Sequence, residues 1–268
     1  MAEFALKNGD NVVATLRNPA DLDGLKSHHP DTQLLVLTLD VTKPQEIIDA
    51  FAKTREVFGR LDVVFNSAGY GLLSEVEGTP DDVARVLFET NFWGAANVSR
   101  EAVKFFREVN PSGTGGRLLT VSSFVGLQPL TCCGYYSASK HALEGLTEAF
   151  ASELDPEWNI KVTLIVPGTF KTKATTNAVF IPPHPSYTPS TSPAAAIRKA
   201  LEHLDDPGNK LGDPLKAIQK IYELSSLPQP PLRLMLGQDA ITYVRSHLQS
   251  VSADADGYES WSEDLKVD

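Results

Sequence analysis

The chain has 268 residues, of which 42% are hydrophobic, so it is long and apolar enough to bury the core of one domain spanning 1–268. Its 24 basic and 34 acidic side chains give a net charge of −10, which argues against nucleic acid as a partner. No run of about 18 apolar residues predicts a membrane span and no signal-peptide pattern opens the chain, so a cytoplasmic location is the default expectation.

The predicted elements alternate between strands and helices. Met1–Leu6 has the pattern of a helix, and Gly9 is its stop signal. Runs rich in Val, Leu and Ile predict strands at 11–16, 33–39, 61–65, 117–122 and 160–166. The stretches between them predict helices at 44–58, 80–109 and 135–154. This alternation predicts an α/β fold with a doubly wound parallel sheet, a Rossmann-like arrangement in which ligands bind beyond the carboxyl ends of the strands.

Asp40, Asn66, Ser123 and Pro167 each follow the end of a predicted strand. Because the carboxyl ends of parallel strands meet at the same edge of a sheet, we expect these residues to lie along one edge. The sequence therefore predicts a ligand site there.

A serine, a tyrosine and a lysine suit proton transfer to a substrate oxygen. Tyr136 and Lys140 stand four residues apart in YSASK, so a helix places their side chains on one side. A phenol has an ordinary pKa of about 10, and a neighbouring ammonium would lower the pKa of Tyr136. Ser123 would donate a hydrogen bond to the substrate oxygen. The YxxxK pattern alone favours an ordinary surface pair, but a serine at a strand end favours an acid–base site.

Other side chains near this pattern are expected to have packing roles. The helix that carries Tyr136 is predicted to bury an apolar face made of Ala138, Ala142, Leu146, Ala149 and Leu154. Cys132 and Cys133 are the only cysteines, and their adjacency predicts neither a disulfide framework nor a metal site. Packing is favoured for them over a redox switch. Phe92 and Trp93 are expected in the core or between helices.

The pattern of Ser123, Tyr136 and Lys140 resembles the short-chain dehydrogenase/reductase family, and the resemblance extends over residues 1 to 175. Further segments match the family's motifs in the family's order: Leu39-Asp40-Val41-Thr42, Asn66-Ser67-Ala68-Gly69, Asn91 in ETNFWGA, and Pro167-Gly168 with Thr172 beyond. Ser67 stands where the family usually has alanine.

The resemblance implies a role for each matching residue. Asn91, Ser123, Tyr136 and Lys140 would be catalytic, with Asn91 holding a water that links the lysine to solvent. Residues expected to contact a nicotinamide dinucleotide are Asp40, at the adenine, together with Asn66, Tyr136, Lys140, Pro167, Gly168 and Thr172. A homo-oligomer is compatible with the resemblance.

Arg17 follows the second strand of the family, a place where an acidic residue would bind a ribose 2′-hydroxyl. An arginine there suits a 2′-phosphate, so NADP(H) is favoured over NAD(H). A plain surface arginine stays open as the alternative.

The family's TGxxxGxG phosphate loop does not occur in the sequence. Met1–Leu6 resembles the middle of the helix that follows this loop, so we expect the first strand and the glycine-rich loop to be absent. A gene model begun at an internal methionine, an alternative transcript and a real truncation stay open as explanations.

The carboxyl-terminal third contains a proline-rich stretch at 169–193, where the family places its substrate loop, and we interpret it as a substrate lid. Helical patterns follow at 194–204 and 215–224, then a last strand at 230–237 and a helix at 238–249. This part resembles a subgroup similar to 17β-hydroxysteroid dehydrogenases. Residues 250–268 are expected to form a solvated acidic tail.

Two functions stay open at this stage. The resemblance implies an NADP(H)-dependent oxidoreductase that interconverts a carbonyl and a secondary alcohol on a small, lipophilic substrate, such as a secondary metabolite, with Tyr136 as the acid–base. The alternative is a catalytically inactive, truncated scaffold or binding protein, which the absent glycine loop favours. The sequence identifies neither the substrate nor the direction of the reaction.

Overall fold

The computed structural model describes residues 1–174, 176–204, 206 and 208–266. Residue 175 of the predicted lid and residues 267–268 of the predicted tail lie outside this part. The strands are β1 Val12–Leu16, β2 Leu34–Thr38, β3 Val63–Asn66, β4 Leu72–Leu73, β5 Gly116–Val121, β6 Ile160–Pro167, β7 Val179–Phe180 and β8 Arg233–Leu236. The α-helices are α1 Ala2–Lys7, α2 Asp23–Lys26, α3 Pro44–Phe58, α4 Asp81–Phe88, α5 Ala95–Glu108, α6 Gly134–Glu153, α7 Pro193–Glu202, α8 Pro214–Ser225 and α9 Gln238–Gly257.

The strands form parallel sheets, and helices lie between the consecutive strands of the two larger sheets, which confirms the predicted α/β, Rossmann-like fold. β1 and β2 make a two-stranded sheet, and a second sheet has the order β3-β5-β6-β8. A short additional pair joins β4 to β7, also in parallel. The predicted single sheet is therefore divided in two.

A groove separates the two-stranded sheet from the four-stranded sheet. It has a volume of about 860 Å³, and its walls include Val13 and Thr15 of β1 and Val64 and Phe65 of β3. Among the described residues, β1 pairs only with β2, and β3 pairs only with β5. Each of these two strands therefore has one edge without a strand partner, and both strands border the groove.

The main core surrounds the four-stranded sheet. Leu118 of β5 and Leu164 of β6 have no exposed surface, and Ala102, Val103 and Phe106 of α5 are buried on the same side of the sheet as Leu118. A β-carbon at Gly116 would clash with the ring of Phe106, so this close packing of helix on strand requires glycine. The tight packing holds the carboxyl ends of β5 and β6 firmly in place.

The predicted helix at 80–109 is helical throughout residues 81–108, but it is not uniformly α-helical. A π-helical stretch, Glu89–Gly94, lies between α4 and α5. Such stretches are rare and often occur at functional sites. Trp93, expected to be buried, is 53% exposed, whereas Asn91 has no exposed surface. The widened turn thus directs the asparagine, and not the tryptophan, into the interior.

Two expectations for helices are corrected by the structure. In α6, Ala138, Leu146 and Ala149 are exposed, and the buried residues are Ser137, Ser139, Lys140, Leu143, Glu144 and Thr147. Apolar periodicity failed because this helix buries Ser139, Lys140 and Glu144, whose polar groups have internal partners. The last helix, α9, continues to Gly257, eight residues past its predicted end, although its final turns are exposed as expected for the tail.

Within the described residues, no helix combines the length and the apolar composition that crossing a membrane requires.

Candidate active site

Ser123 and Tyr136 come together near the carboxyl end of β5. Ser123 lies two residues after β5 and is 8% exposed. Its hydroxyl oxygen accepts a hydrogen bond from the backbone N–H of Val125 at 3.4 Å. Tyr136 lies in the first turn of α6 and packs against the cluster that contains Phe124 and Leu164. Burial raises the pKa of Tyr136, and the nearby Ser123 hydroxyl partly opposes this.

Lys140 is buried one helical turn after Tyr136, with 4% of its surface exposed. Its Nζ donates a hydrogen bond to the carbonyl of Val121 at 2.9 Å. Burial lowers the pKa of this amine to about 8, and the nearby Glu144 carboxylate partly opposes the shift. The expectation that Lys140 lowers the pKa of Tyr136 stays a prediction, and in this structure burial is the larger influence and raises that pKa.

A buried ion pair beside the lysine was not predicted from the sequence. Glu144, whose side chain is 3% exposed, accepts a hydrogen bond at 2.8 Å from Nε of Arg233 on β8. A second bond of 2.7 Å joins Arg233 to the exposed Glu148. These contacts fix α6, and hence Tyr136 and Lys140, to the far strand of the sheet. The sequence shows the i,i+4 spacing of Lys140 and Glu144, but it does not show that Arg233 on β8 pairs with Glu144.

Asn91 uses its side-chain amide to hold the main chain of Tyr70. Its Oδ1 accepts from the Tyr70 N–H at 3.0 Å, and its Nδ2 donates to the Tyr70 carbonyl at 2.9 Å and to the Ser139 hydroxyl at 3.2 Å. A β-carbon at Gly69 would approach Asn91 Oδ1 to 3.0 Å and Lys140 Nζ to 3.3 Å. Asn91 and Lys140 are therefore brought together around Gly69. The water relay expected of Asn91 stays a prediction.

Three of the residues predicted to contact a cofactor line the groove: Arg17, Asp40 and Asn66. The side chain of Arg17 is exposed. Asp40 accepts hydrogen bonds from the N–H and the hydroxyl of Thr42, at 3.0 and 2.8 Å, and these bonds lower the pKa of its carboxyl group. Asn66 instead donates its amide to the Ala95 carbonyl at 2.9 Å, so its side chain holds α5 against β3.

The remaining predicted contacts lie outside the lining of the groove. Pro167 ends β6, and the N–H of Gly168 donates to the Leu236 carbonyl at 2.7 Å. A β-carbon at Gly168 would collide with the carboxylate of Asp239, so glycine is required there. The exposed Thr172 accepts a hydrogen bond from the N–H of Ala174 at 3.1 Å.

The groove suits part of a nicotinamide dinucleotide. A cation, Arg17, stands at the same rim as the Asp40 carboxylate, and the glycine at position 69 leaves room beside the buried Lys140. These features fit the adenosine and ribose portions of such a molecule. The sequence contains no glycine-rich loop of backbone donors for a pyrophosphate. Within the described residues, no cluster of His, Cys, Asp and Glu side chains is arranged to hold a metal ion.

Residues 1–179 match the family model described as short chain dehydrogenase. That match begins at residue 1 and does not confirm the expected absence of a first strand and loop, which stays a prediction.

An uncharacterized oxidoreductase of Schizosaccharomyces pombe is 37% identical over 252 residues, covering 94% of this chain and 82% of the yeast protein. Estradiol 17-beta-dehydrogenase 2 of Mus musculus is 36% identical over 150 residues, which is 55% of this chain and 38% of the mouse protein.

A crystal structure of a short-chain dehydrogenase from Streptomyces avermitilis superposes with a TM-score of 0.87 and 33% identity, covering 99% of this chain and 93% of that one. The structure of ElxO with NADP bound superposes with a TM-score of 0.70 at 24% identity, covering 91% of this chain and 92% of that one. The latter likeness concerns the fold alone.

Proposed function

Because this chain belongs to the short-chain dehydrogenase family of oxidoreductases, we propose that it reduces a carbonyl or oxidises a secondary alcohol with NADP(H), using Tyr136 as the acid–base. The observation that carries the proposal is the proximity of the Ser123 hydroxyl and the Tyr136 phenol, with the buried Lys140 amine one helical turn away. Three groups suited to proton transfer and oxyanion binding thus meet at the carboxyl edge of the four-stranded sheet.

Each side chain has a separate task in this mechanism. The nicotinamide ring, when bound, gives or accepts the hydride. Tyr136 donates a proton to the substrate oxygen during reduction and removes it during oxidation. Ser123 donates a hydrogen bond to the same oxygen and so holds it beside the phenol. Lys140, one helical turn away, would carry a positive charge that favours the phenolate.

Asn91 supports the site by fixing the main chain at Tyr70, which borders the groove. Arg17 and Asp40 would bind the adenosine end, with Arg17 favouring the 2′-phosphate of NADP(H). Pro167, Gly168 and Thr172 would border the nicotinamide end.

A small, lipophilic substrate is supported by the apolar side chains of the segment after β6. Val179 and Phe180 are exposed, at 36% and 47%, in the strand that pairs with β4. We take the stretch at 169–193 as the lid over the substrate, within one domain that spans 1–268.

The direct test follows loss of NADPH absorbance by the purified 268-residue protein against a panel of aliphatic, aromatic and steroidal ketones. Turnover of at least one ketone with NADPH, and its loss in Tyr136→Phe, is the expected result. The same panel with NADH reports the cofactor preference.

The open groove between the two sheets favours a second candidate, a catalytically inactive binding protein. The proposed enzyme needs its pyrophosphate held, and the sequence offers no glycine-rich loop for that purpose. Calorimetric titration with NADPH distinguishes the two functions. The second candidate requires that the protein shows no NADPH binding in the titration and turns over no ketone on the panel.

A further inference from the structure

The buried carboxylate of Glu75 has no part in the mechanism above, yet it has several partners. Glu75 is 4% exposed and lies just after β4. Its two oxygens form a forked ion pair with Arg198 on α7, with Nε–Oε1 and Nη2–Oε2 distances of 2.6 Å each. Bidentate pairs of this kind fix the relative orientation of two segments as well as neutralising the charge.

Glu75 also contacts two further segments of the chain. The N–H of His184 donates to Oε2 at 3.3 Å, and the thiol of Cys132 donates to Oε1 at 3.9 Å. Burial and the adjacent carboxylate raise the pKa of Cys132, so the thiol is a neutral donor and not a reactive thiolate. Cys132 stands four residues before Tyr136, and its carbonyl accepts from the N–H of Ser74 at 2.8 Å.

Arg198 extends the connection to the strand that borders the groove. Its Nη1 donates to the carbonyl of Ile181 at 2.9 Å. The neighbouring N–H groups of Val179 and Ile181 donate to the carbonyls of Gly71 and Leu73, at 2.9 and 3.0 Å. We call residues 177–187 the wall segment, because its members Asn177 and Val179 line the groove beside Tyr70.

The backbone pairing of the wall segment is short, since β4 and β7 have only two residues each. Isolated two-residue pairings contribute little stability in water. The side chains of Val179 and Phe180 are exposed and add little burial. The bidentate pair is therefore the contact best placed to keep this segment against β4.

We propose that the Glu75–Arg198 pair is a positioning element that holds the wall segment, which is part of the proposed substrate lid, against β4 and thereby sets the position of the groove wall next to Tyr70. Its consequence for catalysis rests on the reductase function proposed above, whereas its effect on the position of the segment does not. Glu75 and Arg198 act through the wall segment and touch no reacting atom.

Amide hydrogen exchange tests the proposal without cofactor or substrate. In Glu75→Gln, the amides of Val179 and Ile181 are expected to exchange about tenfold faster or more, because hydrogen bonds to charged groups contribute about 1.5–3 kcal/mol. The amide of Leu164, which donates to Leu232 in the four-stranded sheet, is the internal reference and is expected to keep its rate. Arg198→Lys keeps the charge but loses the fork, so an intermediate effect is expected.

Asp81→Asn is the matched control, because it removes a carboxylate from an exposed pair with Arg85 elsewhere on the surface. It is expected to leave the exchange rates of the Val179, Ile181 and Leu164 amides unchanged. Unaltered exchange of Val179 and Ile181 in Glu75→Gln would overturn the proposal. Faster exchange of Leu164 to the same degree would also overturn it, since the pair would then support the whole fold.

Kinetics provide the second readout, with a ketone that the NADPH assay above has identified. Glu75→Gln is expected to raise the KM for the ketone about tenfold and to keep kcat within about twofold, because the geometry of substrate binding changes and the chemistry does not. A fall in kcat at constant KM would contradict the proposed role. If the protein turns over no ketone, the reductase function fails, while the exchange experiment still decides the position of the wall segment.

Discussion

The central strands of the four-stranded sheet, β5 and β6, are buried more completely than the two-stranded sheet of β1 and β2. In β5 and β6 most residues are buried, and their ends carry Ser123 and Pro167. In β1 and β2 the buried residues are Ala14 and Leu34, while the rest are half-buried or exposed. The four-stranded side thus presents the residues proposed for proton transfer in a packed framework, and the two-stranded side presents Arg17 and Asp40 on a groove. Chemistry and dinucleotide binding are expected to respond to different substitutions.

The largest expected effects come from substitutions that leave a cavity, because they report how tightly each sheet is packed. Leu118→Ala is expected to lower the free energy of unfolding by about 4–5 kcal/mol, the upper part of the usual range for such changes. Leu34→Ala is expected to cost about 2–3 kcal/mol, because its smaller cluster beside the groove has more room to relax. Urea unfolding of both variants and the unmodified protein provides the values. Equal losses would mean that the two sheets are equally well packed.

Tyr136→Phe separates chemistry from binding on the four-stranded side. Turnover is expected to fall about 100-fold or more, since general acid–base catalysis contributes this much. Initial rates at saturating NADPH and ketone measure the effect, with NADPH affinity as the control. Near-normal turnover would remove Tyr136 from the mechanism.

Arg17→Ala tests whether the two-stranded side binds the 2′-phosphate of NADPH. The dissociation constant for NADPH is expected to rise about ten- to a hundredfold, because a charge-assisted contact to the 2′-phosphate contributes about 1.5–3 kcal/mol. NADH, which lacks that phosphate, is expected to change little. Arg85→Ala, an exposed arginine on α4, is the matched control in calorimetric titrations. Equal losses for both dinucleotides would assign Arg17 a structural role.

The smallest expected effect is the pH dependence of the stabilisation that the Glu75–Arg198 pair provides. The hydrogen bonds from Arg198 lower the pKa of Glu75 from 4.5 to about 2. The stabilisation by ionised Glu75 is therefore complete above a pH of about 4.5 and is lost as the pH falls toward 2. The difference in unfolding free energy between the unmodified protein and Glu75→Gln should shrink from about pH 6 to about pH 3. A constant difference would show that the pair is not ionic.

Much of this architecture is predictable from local patterns. Continuous apolar runs predicted the strands around Leu118 and Leu164, and alternation with helices predicted parallel pairing, as observed. The spacing of Tyr136 and Lys140 predicted their common helix. These features depend on short-range periodicity, which a single sequence contains.

Features that depend on distant partners were not predictable. Arg233 meets Glu144 across 89 positions of the chain, and Arg198 meets Glu75 across 123. The buried face of α6 was misjudged for the same reason, since Glu144 is buried only because Arg233 reaches it. The π-helical turn at Asn91 likewise has no periodic signal in the sequence.

The groove has a consequence for how the protein behaves at high concentration. Main-chain N–H and C=O groups along the free edges of β1 and β3 are templates for strands of other molecules. Association through such edges is driven by backbone hydrogen bonds and apolar contact and is opposed by the net charge of −10, so added salt, which screens this repulsion, should increase it. Light scattering should therefore rise with protein concentration, and ligands that occupy the groove should act as colloidal stabilisers.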